Sequence, residues 1–430
     1  MTDSHYSNDA QASLLSLDDI EDYLYALPAQ QKDPTARLKY VKTVLKKLGD
    51  PQNCMPAIHI AGTSGKGSTA YYASSLLVGA GYTVGLMVSP HVHSVKERAQ
   101  INGKPLSDNE YIAHFNQFLG VVAGTKLSYI EFLTIFAYWL FAKVPVDYAV
   151  IEVGLGGLLD PTNVISRPQT VRVITDIGYD HVELLGSTLA EITSQKAGII
   201  HNADIVVMNQ QAPEITDVIK QTAEKSQAAL TEARQSKQPA ILRLPLFQRR
   251  NWSLAYEAVA QRLAIDGRVP LSEQAVRTSL EAVVPGRFEK VLYNDTLFVL
   301  DAAHNPQKMT ALVASLSQDQ PDKKPVFVVA FGENKRSSAG ESLALLTPIA
   351  SKCITTQFHL DFSAGHGAIP AKELANMAGP ACIVEPSLQK ALLKAVELAA
   401  QQNTYVVVTG SFYLLDNVYP LLAMGQQRNE

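Results

Sequence analysis

Residues 59 to 72, "HIAGTSGKGSTAYY", carry the types and spacing of a phosphate-handling loop. Gly62, Gly65 and Gly67 stand between an apolar strand and a helix, with Lys66 among them. Glycine is costly inside regular structure, so such a cluster marks a point where backbone approaches something closely. A glycine-rich turn that opens a helix aims several N–H groups at one spot, which suits phosphate. Lys66 adds a mobile cation, and the hydroxyl of Ser68 or Thr69 is placed to meet a phosphate-bound magnesium. The spacing is a variant, because Ile60 stands where the common phosphate loop begins with glycine. The competing account, a tight turn that only lets strand and helix pack, gives Lys66 and the hydroxyls no task.

Further polar residues stand at the ends of apolar segments. "VDYAVIEVGLGG" runs a strand into Glu152, from where a carboxylate can reach Mg²⁺ beside the phosphates. A structural ion pair would account for Glu152 equally well. "GLMVSPH" ends on Ser89 and His91, and "VITDIGYDH" on Asp180 and His181, where capping is the bland alternative. Lys196 sits late in a helix opened by the capping box of Thr188 and Glu191, where a cation also favours the negative helix end. "LFVLDAAHNP" presents Asp301, His304 and Asn305 after another strand.

The elements that must position these residues follow from periodicity. Helices are predicted over Leu17–Leu27, capped by Ser16, and over Ala36–Leu48, ended by Gly49. Strands are predicted at Ala57–Ala61, Thr83–Val88, Asp147–Val153, Thr170–Thr175 and Asp204–Met208, with helices between several of them. Continuous apolar strands separated by helices mean a mostly parallel sheet covered on both faces. Residues 213–248 are polar and helical, then irregular; Asn251–Leu263 is an alanine-rich helix. "VVPGRFE" breaks the composition and reads as a linker, placed at 285–295. Strands resume at Leu297–Leu300, Val326–Ala330, Ile354–Thr356, Cys382–Val384 and Tyr405–Thr409. The division is a disordered tail over 1–15, a first α/β domain over 16–284 and a smaller one over 296–430. Ligands of open parallel sheets bind outside the carboxyl ends of the strands, where the polar residues above collect.

At 430 residues, two domains are the natural expectation. A net charge of −4 argues against a general nucleic-acid or membrane-surface binder. The apolar segment Phe132–Ala142 is bounded by Glu131 and Lys143 and falls short of the roughly 20 residues that span a bilayer. It reads as a core helix. The N-terminal stretch has neither the basic nor the apolar region of a secretory signal. Cys54, Cys353 and Cys382 are scattered, with neither metal-ligand spacing nor a disulfide framework, which favours a reducing cytoplasm.

Taken in order, "AGTSGKGST", "SPH", "IEVGLGGLLDPTNV", "DH…LLG…KAGI", "PGRFE", "DAAHNP" and "VTGSFYLL" resemble the folylpolyglutamate synthase and dihydrofolate synthase family, within the wider Mur ligase group. Gly67 between Lys66 and Ser68 is similar to the folate branch rather than to the Mur ligases proper. The resemblance implies a P-loop, Mur-ligase-like ATPase domain, a smaller Rossmann-like domain and a cleft between them. It further implies that a folate carboxylate attacks ATP, and that the amine of L-glutamate attacks the resulting acyl phosphate.

By similarity, Gly62, Thr63, Ser64, Gly65, Lys66, Gly67 and Ser68 form the ATP phosphate site, and Asn251, Arg287 and Asp301 are nucleotide contacts. Ser89, Glu152, His181 and Lys196 match magnesium ligands at two sites, with Lys196 carbamylated. Lys66, Lys196 and His304 match the catalytic positions, and Ser128, Tyr129, Ile130, Asp160 and Thr162 the pterin-side pocket. The partners implied are small molecules: ATP, L-glutamate and a folate or dihydropteroate, bound by a cytoplasmic monomer. Leu158 replaces an arginine common in members acting on dihydropteroate, and "FGENKRSS" and "HLDFSAGHGAIP" depart from the family pattern around the glutamate site. Two rivals remain: a Mur-type ligase acting on another acid such as a cell-wall precursor, and a nucleotide-binding module without ligase activity.

Overall fold

The computed structural model describes residues 13–30, 33–236, 238, 240–359 and 367–426. Two sheets organise it. In the first, eight strands run in the order Lys104–Pro105, Ala99–Ile101, Val84–Met87, Tyr148–Glu152, Ala57–Ala61, Val171–Ile174, Ile205–Met208 and Ala229–Glu232. All pair in parallel from Val84–Met87 onward, and the first two form an antiparallel edge. That edge hairpin turns on Asn102 and Gly103, both at positive φ, the chemistry a two-residue hairpin demands. Ala57–Ala61 is central and fully buried, so the loop that follows it emerges mid-sheet.

Three helices pack together behind that loop. Lys66–Gly79 leaves it and lies against Leu246–Ile265 and Glu273–Leu280. The last contact is close: a Cβ on Gly79 would stand 2.8 Å from the Ala275 Cα. On the other face the helix Tyr129–Lys143 is buried nearly all round, as its apolar sequence requires. Phe132 and Phe136 meet Phe118 at ring separations of 5.0 and 5.3 Å.

The second sheet runs Cys382–Val384, Lys352–Thr355, Val326–Val329, Val406–Thr409, Thr296–Asp301 and Glu289–Tyr293, parallel except for the last. Here the expected linker over 285–295 is corrected. Its residues Glu289–Tyr293 form the antiparallel edge strand, turning back through Asn294 and Asp295 at positive φ. Burial alternates along it, with Val291 and Tyr293 half-buried and Leu292 exposed, but its apolar residues are consecutive, so no period of two shows in the sequence. The strand Ala229–Glu232, the edge hairpin and the helix Asp108–Val121 are further elements that the apolar periodicity does not announce.

Of the tail expected over 1–15, residues 1–12 lie outside the described residues; Leu14 is fixed, exchanging two hydrogen bonds with the Asn116 side chain. The scattering of the cysteines is corrected too. Cys353 and Cys382 are register partners on neighbouring strands, both as free thiols. No described helix is long and apolar enough to cross a membrane.

Gly85, in the strand Val84–Met87, tests this packing: an added Cβ would stand 2.5 Å from the Phe141 ring. We expect Gly85→Ala to destabilise the first domain by about 1–3 kcal/mol, the usual cost of overpacking. Thermal unfolding checks it, and an unchanged midpoint would show that Phe141 yields freely.

Candidate active site

The carboxyl ends of both sheets face one cleft of about 1210 Å³. It is lined by the whole of Gly62–Ser68 and by Ser89, Ser128, Tyr129, Glu152, His181, Lys196, Asn251, Arg287, Asp301 and His304. Ile130, Asp160 and Thr162, also expected there, line instead a side pocket of about 30 Å³. Ser89, Arg98 and Gly154 border both spaces. A pocket of that volume has room for about one water molecule, so it does not enclose a pterin ring.

The loop is shaped by what it lacks. A Cβ on Gly62 would lie 1.8 Å from the Thr175 hydroxyl, and one on Gly65 2.2 Å from Asn251 Oδ1. The resemblance assigns Thr63 and Ser64 to phosphate, but their backbone N–H groups donate to the Asp176 carbonyl at 2.9 and 3.0 Å. The loop's free donors therefore start at Gly65, where the helix begins and its first N–H groups have no partner within the helix. Lys66 Nζ rests 3.2 Å from the Gly62 carbonyl.

Glu152 ends its strand beside Ile60 in register, and its Oε2 lies 3.4 Å from the Cβ position of Gly67. A Cβ at residue 67 would sit in ordinary van der Waals contact with this carboxylate. Oε2 also accepts the Ser89 N–H at 2.8 Å. Burial pushes the carboxyl's pKa up, against the pull of Lys66. The Ser68 hydroxyl is buried with no hydrogen-bond partner among the described residues. An orphaned hydroxyl, a desolvated carboxylate and a phosphate loop together fit a magnesium ion that takes its remaining ligands from phosphate and water. Protein groups alone do not close such a site: among the described residues no three His, Cys, Asp or Glu side chains gather to hold a metal. His181 lines the same cleft in a left-handed conformation, 3.9 Å from Asp180.

Lys196 is buried, with Nζ 3.0 Å from the Gly62 carbonyl. Burial first, and repulsion from Lys66 second, push its pKa down to about 7. From the second domain, Asp301 accepts N–H groups of Phe288 and Ala303 at 2.9 and 2.8 Å, and burial lifts its pKa to about 6. Arg287 lies over the Phe412 ring at 4.2 Å. His304 Nδ1 donates to the Ala302 carbonyl at 2.8 Å, which leaves Nε2 to accept from Lys308 Nζ at 3.0 Å.

Several lining residues escape a reading by sequence. Lys308 lies one helical turn beyond His304, and burial lowers its pKa to about 7. Lys335 crosses between the domains to Asp180 at 3.3 Å. Burial opposes ionisation of Asp180, yet Lys308 and Lys335 hold its carboxyl well below the usual range. Arg98 donates to His91 Nδ1 at 2.9 Å and stands over the Tyr129 ring. Only the lysine after the "HNP" turn is placed suggestively in the sequence. Leu158 packs its Cβ against Gly198 and lines neither the cleft nor the side pocket.

Two sheets joined across a phosphate cleft define an ATP-dependent ligase architecture, and comparison with known proteins agrees. The Mur ligase middle domain matches residues 60–244, and the Mur ligase glutamate ligase domain residues 286–412. The chain is 34% identical to the dihydrofolate synthase/folylpolyglutamate synthase of Mycobacterium tuberculosis, over 81% of this chain and 79% of that one. It is 31% identical to the folylpolyglutamate synthase of Lacticaseibacillus casei, over 94% and 98%. The bifunctional folylpolyglutamate synthase/dihydrofolate synthase of Yersinia pestis, solved with AMPPNP and a manganese ion, superposes with a TM-score of 0.81 at 27% identity, covering 96% of this chain and 100% of that one. The chain belongs to the folylpolyglutamate synthase/dihydrofolate synthase family.

Lys66→Ala removes the loop's only side-chain cation. We expect turnover to fall by a factor of about 100 or more, as when a preorganised charge is lost from a site, with an unchanged thermal midpoint. Undiminished ATP-dependent ligation would refute the phosphate-loop assignment.

Proposed function

We propose that this protein adds L-glutamate to a reduced folate with consumption of ATP. The observation that carries the reading is the pairing of the Gly65–Ser68 donors and Lys66 with a buried carboxylate, Glu152, in a chain of this family. A carboxylate is a poor acylating agent until phosphorylated, and two anions must be brought together for that step. The terminal carboxylate of the folate attacks the γ-phosphate, giving an acyl phosphate and ADP. The glutamate amine then attacks the acyl carbon, and phosphate leaves. Lys66 and the N–H groups of Gly65 and Gly67 hold the transferring phosphate, and Asn251, Arg287 and Asp301 meet the nucleotide. Ser68, Ser89, Glu152 and His181 hold divalent cations, which when bound neutralise phosphate charge. His304 and Lys308, joined through the His304 Nε2, form a polar pair at the second-domain wall that faces the incoming amino acid.

Ser128 and Tyr129 receive the folate side, with Asp160 and Thr162 behind them in the wall. Support for a cytoplasmic monomer comes from the three free thiols and from a cleft whose two walls belong to one chain.

Lys196 is proposed to carry a carbamate. A neutral amine adds CO₂, and the neutral fraction grows as pH rises through about 7. The product is an anion where cations must be held. We expect activity to increase with bicarbonate, most strongly on the acid side of pH 7, and intact-mass measurement to show one added CO₂. A plain ammonium with activity indifferent to bicarbonate would leave Lys196 as a helix-end cation.

The preferred acceptor is proposed to be a folate rather than dihydropteroate. Leu158 cannot supply the charge-assisted hydrogen bond of an arginine, worth about 1.5–3 kcal/mol. A longer substrate has other contacts to compensate. We expect specificity constants for tetrahydrofolate to exceed those for dihydropteroate by about tenfold or more. Equal values would mean an ordinary bifunctional enzyme.

A further inference from the structure

A chain of buried polar groups runs from the side pocket into the sheet, and the reaction above leaves most of it unused. Its inner end is the ion pair of Arg172 with Asp204, Nε to Oδ2 2.8 Å, with both side chains buried. On the central strand, His59 is the register neighbour of Arg172, and Arg172 Nη1 lies 2.8 Å from His59 Nδ1. His59 Nε2 is 2.9 Å from Thr162 Oγ1, and that oxygen is 2.5 Å from Asp160 Oδ1.

The sense of every link is fixed by chemistry. A guanidinium only donates, so His59 Nδ1 accepts. The ring's one proton is then on Nε2 and is donated to Thr162. The Thr162 hydroxyl, having accepted, turns its own proton to Asp160. The ring is neutral, since burial and the Arg172 charge both push its pKa well below the ordinary range. The chain therefore ends on a carboxylate whose other oxygen, Oδ2, accepts the Leu155 N–H at 2.9 Å. Leu155 belongs to the glycine loop that lines the cleft. Oδ1 also accepts the Thr162 backbone N–H at 2.9 Å, so both oxygens of Asp160 are held, and the Thr162 hydroxyl is the contact that ties Oδ1 to the sheet.

A buried ion pair is a weak source of stability, and apolar residues of like volume often serve as well or better. What this one supplies is direction. We propose that His59 and Arg172 are positioning residues: acting through Thr162, they fix the Asp160 carboxylate and with it the glycine-loop wall against which the folate side of the substrate rests. The proposal rests on the folate-ligase reading.

The test compares His59→Gln, which keeps one acceptor and one donor in the same sense, with His59→Leu, which keeps neither. KM and kcat are measured separately for tetrahydrofolate and for ATP with the full chain, alongside thermal unfolding. His59→Leu is expected to raise the folate KM about tenfold and leave the ATP KM within about twofold, while His59→Gln stays within about threefold of the native values throughout. Should His59→Leu fail to fold, Thr162→Val removes only the last hydroxyl at constant volume, and the same selective rise is expected. Equal changes in both KM values, or an unchanged folate KM in folded Thr162→Val, would overturn the proposal. A native protein that ligates glutamate to no folate removes the reading on which the proposal stands, and this control precedes any variant.

Discussion

At the end of the central strand, backbone must pass where no side chain fits, and the rest of the site depends on how that passage is held. Gly62 is pressed against Thr175, and Gly65 against Asn251. Between them, the N–H groups of Thr63 and Ser64 are tied to the Asp176 carbonyl, while the Asp176 carboxylate takes Arg250 at 2.7 Å. Arg250 and Asn251 are consecutive residues of the helix Leu246–Ile265. One helix therefore grips the loop at two points and orients the four N–H groups that follow. Preorganisation of this kind means that the donors need not reorganise when charge develops on phosphate.

The same site is linked to the second domain by the segment after Ser89. The Ser89 N–H binds Glu152, and three residues later Val92 is buried in the second domain's core with Phe298 and Leu300. The next ring, His93, lies 3.8 Å from Tyr419. Glu97 gathers the N–H groups of Val92, His93 and Ser94, which makes this short segment stiff. A shift of one domain against the other is thus felt at the carboxylate expected to meet the metal.

The alternation of strands and helices and the phosphate loop are legible because each depends on local pattern: apolar runs bounded by glycine, and a lysine at a helix start. Edge strands are not. Glu289–Tyr293 and Ala229–Glu232 fully bury none of their residues, so their sequences look like loops. The order of the motifs along the chain is enough to group the site residues of both domains. It does not tell which donors are free, because that depends on the Asp176 carbonyl, which is distant in sequence from Thr63 and Ser64. Nor does it reveal Lys308 and Lys335, whose meeting with Asp180 is a product of domain packing. The His59–Arg172 contact is hidden for a different reason: each residue sits in an apolar strand, and only register brings them together.

Electrostatics gives the arrangement its sense as a catalyst for anions. Lys66 is near enough to Lys196 and Lys308 to lower the pKa of both, and Arg287 and Lys335 add to the effect on Lys308. Such crowding of cations in a buried place is unfavourable until anions arrive. Asp180 offsets it only in part, and Glu152 and Asp301 in the same cleft are pushed by burial towards the neutral form. A triphosphate and two carboxylate substrates supply the missing negative charge, and the field is strongest where water is excluded. Charge that is unfavourable in the empty cleft becomes favourable as phosphate moves towards the folate carboxylate, which is the condition for stabilising a transition state more than a ground state.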